Sequence, residues 1–227
     1  MHAFARHDRQ PGAAALLRRI IPMSLYALKP RFQALLRPMV TRMAERGVTA
    51  NQVTLAAAAG SVIVGFGVAA AAEFRIVYLL LPVWLFVRMA LNAVDGMLAR
   101  EFGHKSLLGA YLNEIADVVS DSALILPFAL LPIFGPFWTG AVIVLAVVTE
   151  FAGVMGPAVG ASRRYDGPLG KSDRAFVFGA LGLWIGIGGP LPGWLDWLMP
   201  VIALVLVLTI ANRVRKGLRE VRERPET

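Results

Sequence analysis

The stretches NAVDGMLAR, residues 92–100, and GAYLNEIAD, residues 109–117, decide the fold. Each carries ionisable and amide side chains, yet each belongs to an apolar run that is long enough to cross a bilayer as a helix. Ionisable groups inside such runs are energetically costly and usually serve a function. The sequence therefore predicts a polar site built into a membrane protein.

The composition of the whole chain agrees with a membrane protein. Hydrophobic residues make up 57% of the 227 residues, whereas soluble domains usually contain about 45–50%. Cysteine is absent from the sequence, which excludes a disulfide framework and a thiolate metal site. The net charge of +8 would suit nucleic acid, but the basic residues flank the apolar runs. We therefore expect an anionic lipid bilayer as the partner, and no nucleic acid.

Six apolar runs are long enough to span about 30 Å as helices. They cover residues 52–72, 76–99, 107–133, 137–160, 174–191 and 195–213. The preceding residues, about 13–46, mix apolar and basic positions, which is typical of an amphipathic helix in the membrane interface; a solvated basic arm is the alternative.

The predicted fold is an all-α integral membrane protein with six transmembrane helices and an N-terminal amphipathic interfacial helix. Its predicted parts are a cytoplasmic region (1–51), a six-helix transmembrane domain (52–213) and a basic cytoplasmic tail (214–227).

The distribution of basic residues predicts the orientation in the membrane. Under the six-span reading, 21 of the 23 Lys and Arg residues fall on one side. Since loops rich in Lys and Arg stay in the cytoplasm, both termini and the polar ends of the second and third spans are expected there.

The polar residues of the second and third spans fall on one face of each helix. In the second span these residues are Arg88, Asn92, Asp95 and Ala99. In the third span they are Gly109, Asn113, Asp117 and Asp121, at steps of four residues. Because the connecting loop is short, we expect the two helices to be antiparallel neighbours whose polar stripes face each other.

A pocket of carboxylate and amide oxygens suits a hard divalent cation such as Mg²⁺ or Mn²⁺, which in turn suits a diphosphate. Phosphoryl-group chemistry also needs a carboxylate that takes a proton from the acceptor. Small residues at Gly96 and Ala99 would let a nucleotide approach closely. An ion-coupled transporter is the competing interpretation, but a transport path would cross the bilayer instead of ending at one side of it.

The spacing of these residues resembles the signature of the CDP-alcohol phosphatidyltransferase family, D-x-x-D-G-x-x-A-R-x8-G-x-x-x-D-x-x-x-D. Six of its eight defined positions match with the spacing intact: Asp95, Gly96, Ala99, Arg100, Gly109 and Asp117. The resemblance implies a six-helix homodimer. It also implies a transferase that moves a phosphatidyl group from CDP-diacylglycerol to a hydroxyl acceptor, with release of CMP.

The resemblance also implies roles for individual residues. In the family the four acidic positions hold two divalent metals, Mg²⁺ or Mn²⁺, and the last Asp is the general base. Here Asp95 and Asp117 become metal ligands, with Asp117 as the base, and Gly96, Ala99, Arg100 and Gly109 become nucleotide contacts.

Two departures from the signature affect the expected metal site. Asn92 and Asn113 stand at the first and third acidic positions, so these positions supply amide oxygens without charge. We expect weaker metal binding, with Asp121 or Glu114 as a substitute ligand or with a single metal. A catalytically impaired, lipid-binding family member is the alternative function.

Residues outside the signature complete the predicted site. Asn51 and Thr54, at the start of the first span, either contact the nucleotide or cap the helix. The loop at residues 161–173 returns basic residues beside the site, so Arg163, Lys171 and Arg174, with Arg88, are candidates for binding the acceptor. The alternative for the loop residues is topology-setting charge. These cations tilt the expectation slightly towards a phosphorylated acceptor.

Overall fold

The computed structural model describes residues 25–223, with side chains from residue 31 onward. Seven α-helices make up most of this part of the chain, which contains no β-strand. They are α1 (Leu25–Glu45), α2 (Ala50–Ala70), α3 (Leu80–Glu101), α4 (Leu107–Ile125), α5 (Pro136–Val154), α6 (Lys171–Gly186) and α7 (Leu198–Arg222). Short 3-10 helices lie at Arg75–Leu79, Leu126–Leu130, Pro157–Val159 and Gly193–Trp197. The all-α prediction is confirmed for the described residues.

Four helical segments in residues 25–223 are long and apolar enough to cross a membrane. They are Ala50–Ala70, Arg75–Glu101, Pro136–Val154 and Gly193–Arg222. The other two predicted spans fall short for different reasons. Helix α4 carries three acidic residues among its 19, and α6 has 16 residues, or about 24 Å of helix. Length and composition therefore support four membrane-spanning segments in the described part of the chain, and the count of six stays a prediction.

Side-chain caps fix the starts of the two helices nearest the polar site. Thr49 is the N-cap of α2 and forms a capping box with Gln52, which satisfies backbone N–H groups that the first turn leaves unpaired. Ser106 caps α4 by accepting a hydrogen bond from the Gly109 N–H at 2.9 Å. Thr49, and not Asn51 or Thr54, is therefore the residue that caps α2. The side chains of Asn51 and Thr54 can make other contacts.

The described part of the amphipathic segment is α1. Its Val40 is fully buried against α2 and α3, and Arg37 forms an ion pair with Glu101 at 2.9 Å. Leu35 and Met39 remain exposed on another face. Residues 13–24 of the predicted segment lie outside the described residues, and the interfacial position stays a prediction.

Helix α2 packs against both α3 and α4. A side chain at Gly65 on α2 would collide with the backbone of Ala123 on α4, so glycine is what lets these helices approach. Helices α3 and α4, which we predicted as antiparallel neighbours, contact each other through long polar side chains such as Arg88, while α2 makes the extensive contacts with each of them. The small residues of α2 let it fit between the two helices, and longer polar side chains cross the remaining space.

The helix that ends the described chain is longer than predicted. Helix α7 continues past residue 213 to Arg222, and residues 224–227 lie outside the described part. Its buried residues, such as Met199 and Leu206, join an apolar core that includes Tyr78, Phe128 and Phe178. This core holds α7 beside α5 and brings Arg213 towards the polar site.

Candidate active site

A cleft of about 730 Å³ opens among α2, α3 and the start of α4. Nine of the predicted site residues line it: Asn51, Thr54, Asp95, Gly96, Ala99, Arg100, Gly109, Asn113 and Arg163. All the residues that we assigned to the nucleotide therefore border one space. That space is large enough for a nucleotide, because small-molecule sites commonly occupy about 300–1,000 Å³.

Asp95 is the buried carboxylate of the cleft, and only 7% of the residue is exposed. Its Oδ2 accepts a hydrogen bond from the Thr54 hydroxyl at 2.8 Å. The same hydroxyl lies 3.1 Å from the carbonyl oxygen of Ala50, one turn earlier on α2. Thr54 thus links α2 to α3 and fixes the Asp95 side chain at the cleft.

Gly109 leaves the room that Asn51 occupies. A Cβ at this position would lie 2.7 Å from Asn51 Oδ1 and 3.0 Å from the Ser106 hydroxyl. These distances are shorter than ordinary van der Waals contact. The glycine of the signature therefore allows α2 to bring an amide to the cleft at the N-terminus of α4.

Asp117 lies deeper along α4 and is held by two cations. Its Oδ1 is 3.2 Å from Arg88 Nη2 and forms an ion pair with Lys171 Nζ. Asp117 thus lies one helical turn beyond Asn113, which lines the cleft together with Asp95. The polar stripes of α3 and α4 are thus brought together as predicted, although side chains and not helix packing connect them.

A buried ion network lies beyond Asp117. Asp121 pairs with Arg88 at 2.6 Å and with Arg174 at 2.8 Å. Arg174 also pairs with Glu150 at 2.9 Å, and Glu150 lies 3.4 Å from Arg213. Breaking a buried pair by removing one partner leaves an uncompensated charge, so this network fixes α3, α4, α5, α6 and α7 relative to one another.

The basic residues predicted to bind the acceptor all have acidic partners. Arg163 forms a two-nitrogen ion pair with Glu114, with the Nη2 to Oε2 distance at 2.6 Å, and Lys171 pairs with Asp117. Arg88 and Arg174, both at most 3% exposed, belong to the buried network. Any acceptor that binds these groups would therefore meet cations whose charge is already largely balanced.

The loop that carries Arg163 is tied to α7 through Asp166. This carboxylate pairs with Arg164 at 2.6 Å and with Lys216 at 2.8 Å. Partial burial raises the pKa of Asp166, but the hydrogen bonds from Lys216 and Arg164 outweigh it and hold the pKa below its ordinary value. The ionised carboxylate thus holds the loop against the last helix.

Several residues at the site were not identified from the sequence. His104, Lys105 and Leu107 line the cleft, although they fall in the eight-residue spacer of the signature, where any residue is allowed. The His104 Nδ1 is buried and makes no hydrogen bond to the described part of the chain. Arg213 was not assigned to the site from the sequence, and only the fold brings it to Glu150.

The oxygen donors that remain for a metal are few. Among the described residues, no group of three or more Asp, Glu or His side chains could hold an ion. The carboxylates of Asp95 and Asp117, with the amides of Asn92 and Asn113, are the donors at the signature positions. Mg²⁺ is commonly bound through one or two carboxylates, with water and substrate phosphates as further ligands. The donor set therefore fits a hard divalent cation that a diphosphate helps to bind.

Sequence comparison relates the chain to a known family and to an inner membrane protein. Residues 47–211 match the model of the family described as CDP-alcohol phosphatidyltransferase. The inner membrane protein YnbA of Escherichia coli is 45% identical over 199 residues, which cover 86% of this chain and 97% of that protein. An uncharacterized protein of Aquifex aeolicus is 30% identical over 193 residues, covering 82% of this chain and 91% of its own. With the four apolar helices, these relatives identify a membrane protein.

Solved structures share the fold. The crystal structure of Mycobacterium tuberculosis phosphatidylinositol phosphate synthase (PgsA1) with CDP-DAG bound has a TM-score of 0.67 and 21% identity, covering 84% of this chain and 98% of that one. The structure of the same synthase in complex with manganese and citrate also has a TM-score of 0.67, at 20% identity, covering 84% of this chain and 92% of that one. At this level of identity the likeness concerns the fold.

Proposed function

We propose, because this chain belongs to the CDP-alcohol phosphatidyltransferase family, that it moves a phosphatidyl group from CDP-diacylglycerol to a hydroxyl acceptor and releases CMP. The observation that carries the proposal is the position of the buried Asp95 carboxylate in the cleft, with Asp117 one helical turn beyond the cleft-lining Asn113. A buried carboxylate next to space for a nucleotide is the arrangement that a cation-bound diphosphate needs. A protein of the same fold has CDP-DAG bound, which adds support.

The lipid would enter with its acyl chains in the bilayer and its CDP in the cleft. Gly96 and Ala99 leave room along α3 for the nucleotide, while Asn51 and Thr54 on α2 and Gly109 on α4 border the same space. Arg100 also lines the cleft, where a guanidinium can bind phosphate oxygens. We propose that this end of the protein faces the cytoplasm and that both termini lie there, as the charge distribution predicts.

Mg²⁺ or Mn²⁺ is the expected cofactor, and a protein of the same fold has been solved with manganese. Asp95 and Asp117, with the amides of Asn92 and Asn113, would hold it. Such a cation neutralises the charge that develops on the diphosphate. We assign Asp121 to the buried network and not to the metal, because two arginines already engage its oxygens.

Asp117 is the proposed general base. It takes the proton of the acceptor hydroxyl, and the freed oxygen attacks the phosphorus that bears diacylglycerol. A new bond forms between this oxygen and phosphorus, the bond from phosphorus to the oxygen of CMP breaks, and CMP leaves. Arg88 and Lys171 hold Asp117 in position, so the base is fixed before the acceptor arrives.

The acceptor would enter beside α6 and the loop before it. Arg163, Lys171 and Arg174 lie on this side, and Arg88 reaches it from α3. Their acidic partners leave the choice between a phosphorylated and an uncharged hydroxyl compound to experiment. The functional unit proposed from the family resemblance is a homodimer, which the mass of the purified protein in detergent would test.

The test is CMP release by purified protein supplied with CDP-diacylglycerol, a divalent cation and a panel of hydroxyl acceptors. We expect release that requires both cation and acceptor, and we expect Asp117→Asn to lower the rate at least a hundredfold. Asp196→Asn is the matched control, because Asp196 is exposed near the start of α7 and far along the chain from the signature.

The amides at Asn92 and Asn113 favour one other function, binding of the CDP-lipid without turnover. In that case CDP-diacylglycerol would bind, Asp95→Asn would weaken the binding, and no acceptor would give CMP. Ion flux that is insensitive to CDP-lipid would instead indicate a transporter and would contradict both proposals.

A further inference from the structure

The signature positions of the site provide two carboxylates, Asp95 in the cleft and Asp117 one helical turn beyond the cleft-lining Asn113. Asp95 comes from α3 and Asp117 from α4, and the other two positions are the amides Asn92 and Asn113. The four positions together carry a formal charge of −2, since amides are neutral. Each carboxylate is a candidate point of attachment for one cation.

The Asp117 side already contains cations that belong to the protein. Lys171 Nζ and Arg88 Nη2 both contact Oδ1 of Asp117. A metal ion at this carboxylate would stand next to two positive charges, and repulsion at such distances weakens its binding strongly.

The neighbouring acids cannot easily replace the missing charge. Glu114, next to Asn113, is engaged through both oxygens by Arg163. Asp121, one turn after Asp117, is engaged by Arg88 and Arg174. Each acid that could assist a metal at Asp117 is therefore neutralised by an arginine.

The Asp95 side differs. Its recorded side-chain partner is the Thr54 hydroxyl, and among residues 31–223 no Lys or Arg nitrogen forms an ion pair with it. The amides of Asn92 and Asn113 make no hydrogen bond to the described part of the chain, so their oxygens are available as ligands. This side can accept one divalent cation.

The fold also holds Lys171 where it is. Lys171 is the first residue of α6, and Arg174, one turn later, is 2% exposed and anchored to Asp121 and Glu150. The anchored arginine fixes the start of the helix and with it the lysine. The ammonium group is therefore a built-in charge at Asp117.

We propose that, of the two carboxylates assigned to the metal under the proposed function, only Asp95 binds a divalent cation, and that the Lys171 ammonium supplies the positive charge at Asp117 in place of a second ion. The inference rests on the proposed function for the identity of the ligand: a nucleoside diphosphate would lie between the cation and the ammonium. The role of Lys171 in this arrangement is electrostatic, and it replaces the acceptor-binding role that the loop position suggested.

The experiment counts Mn²⁺ ions per chain in the presence of CDP, by equilibrium dialysis and elemental analysis of purified protein, with electron paramagnetic resonance to detect pairs of coupled ions. We expect one ion per chain and no signal of a coupled pair. Two ions per chain, or none, would overturn the proposal.

A variant with two added carboxylates and without the Lys171 ammonium tests the opposite case, in which a second ion should bind. Asn92→Asp, Asn113→Asp and Lys171→Met together raise the negative charge of the site, and the count should rise to two ions per chain. Lys171→Met alone removes a like charge and should tighten Mn²⁺ binding by roughly tenfold. Lys105→Met is the control, because Lys105 lines the cleft but has no ion-pair partner in the described part of the chain; it should leave the count at one. A tightening by Lys105→Met as large as that by Lys171→Met would contradict a specific role for Lys171.

These measurements need no turnover, so the two proposals fail separately. One ion per chain without CMP release would contradict the proposed transfer and leave the single-cation site standing. CMP release with two ions per chain would do the reverse. The elution volume of each variant on a sizing column shows whether it is folded, and the wild-type count alone can refute the proposal.

Discussion

The contact between α2 and α4 depends on Gly65, and we expect Gly65→Ala to destabilise the protein. A Cβ at this position would lie 2.6 Å from the carbonyl carbon of Ala123. Ordinary contact begins at 3.4 Å, and the carbonyl oxygen of Ala123 lies closer still to the added Cβ, so α2 and α4 would have to move apart by more than about 0.8 Å. The obstacle is backbone, which cannot rotate away as a side chain can. Forced overpacking of this kind costs about 1–3 kcal/mol.

Gly67→Ala is the matched control on the same helix. No atom lies within 4 Å of the position that its Cβ would occupy, so the added methyl group meets open space. Alanine is favoured over glycine inside a helix by about 0.5–1 kcal/mol. The two substitutions are chemically identical, and only the packing predicts opposite effects.

Thermal unfolding of the purified protein in detergent measures both variants. One kcal/mol shifts the midpoint by about 2–4 °C in a protein of this size. We therefore expect Gly65→Ala to unfold several degrees below the wild type and Gly67→Ala at or slightly above it. The affinity for CDP should also fall in Gly65→Ala, since α2 and α4 both border the cleft. Equal midpoints for the two variants would refute the packing of α2 against α4.

Three further substitutions test separate parts of the structure. Glu150→Gln leaves two buried arginines undercompensated and should cost about 3 kcal/mol of unfolding free energy; an effect no larger than that of exposed Glu73→Gln would contradict the network. Gly109→Ala places a methyl group 2.7 Å from Asn51 Oδ1 and should weaken CDP binding about tenfold with little change in stability, whereas unaltered affinity would remove the nucleotide from this end of the cleft. Asp166→Asn should lower the unfolding midpoint at pH 7, because the pKa of Asp166 is lowered and the folded protein therefore favours its ionised form. The difference from wild type should begin to shrink as the pH falls below about 4, and it should be lost once the pH passes the lowered pKa; a difference as large at pH 3 as at pH 7 would contradict this charge effect.

The sequence was sufficient for the helices and for the cleft. The alternation of apolar runs and short polar loops predicts helix positions, and the observed α2, α3 and α5 begin close to the predicted residues. Gly96 and Ala99 are three residues apart and therefore share one face of α3. The fixed spacing of the signature places Gly109 in the first turn of α4, and all three residues line one cleft.

The sequence was not sufficient for contacts between distant segments. The pairing of Lys171 with Asp117 and of Arg213 with Glu150 depends on how α6 and α7 pack, and no periodicity in the chain encodes it. The contact between α3 and α4 has the same limitation. A short loop limits the distance between the ends of the two helices, but it does not determine which other helix packs against both of them. No pattern in the sequence assigns a role to Glu150, which in the structure pairs with two arginines from other helices, Arg174 and Arg213.

The most direct test of the account is a map of the protein solved with CDP-diacylglycerol and Mn²⁺. We expect the diphosphate in the cleft among α2, α3 and the start of α4, one Mn²⁺ beside Asp95, and the Lys171 ammonium facing the phosphates from the Asp117 side. A nucleotide bound elsewhere, or Asp95 without a cation beside the diphosphate, would contradict it.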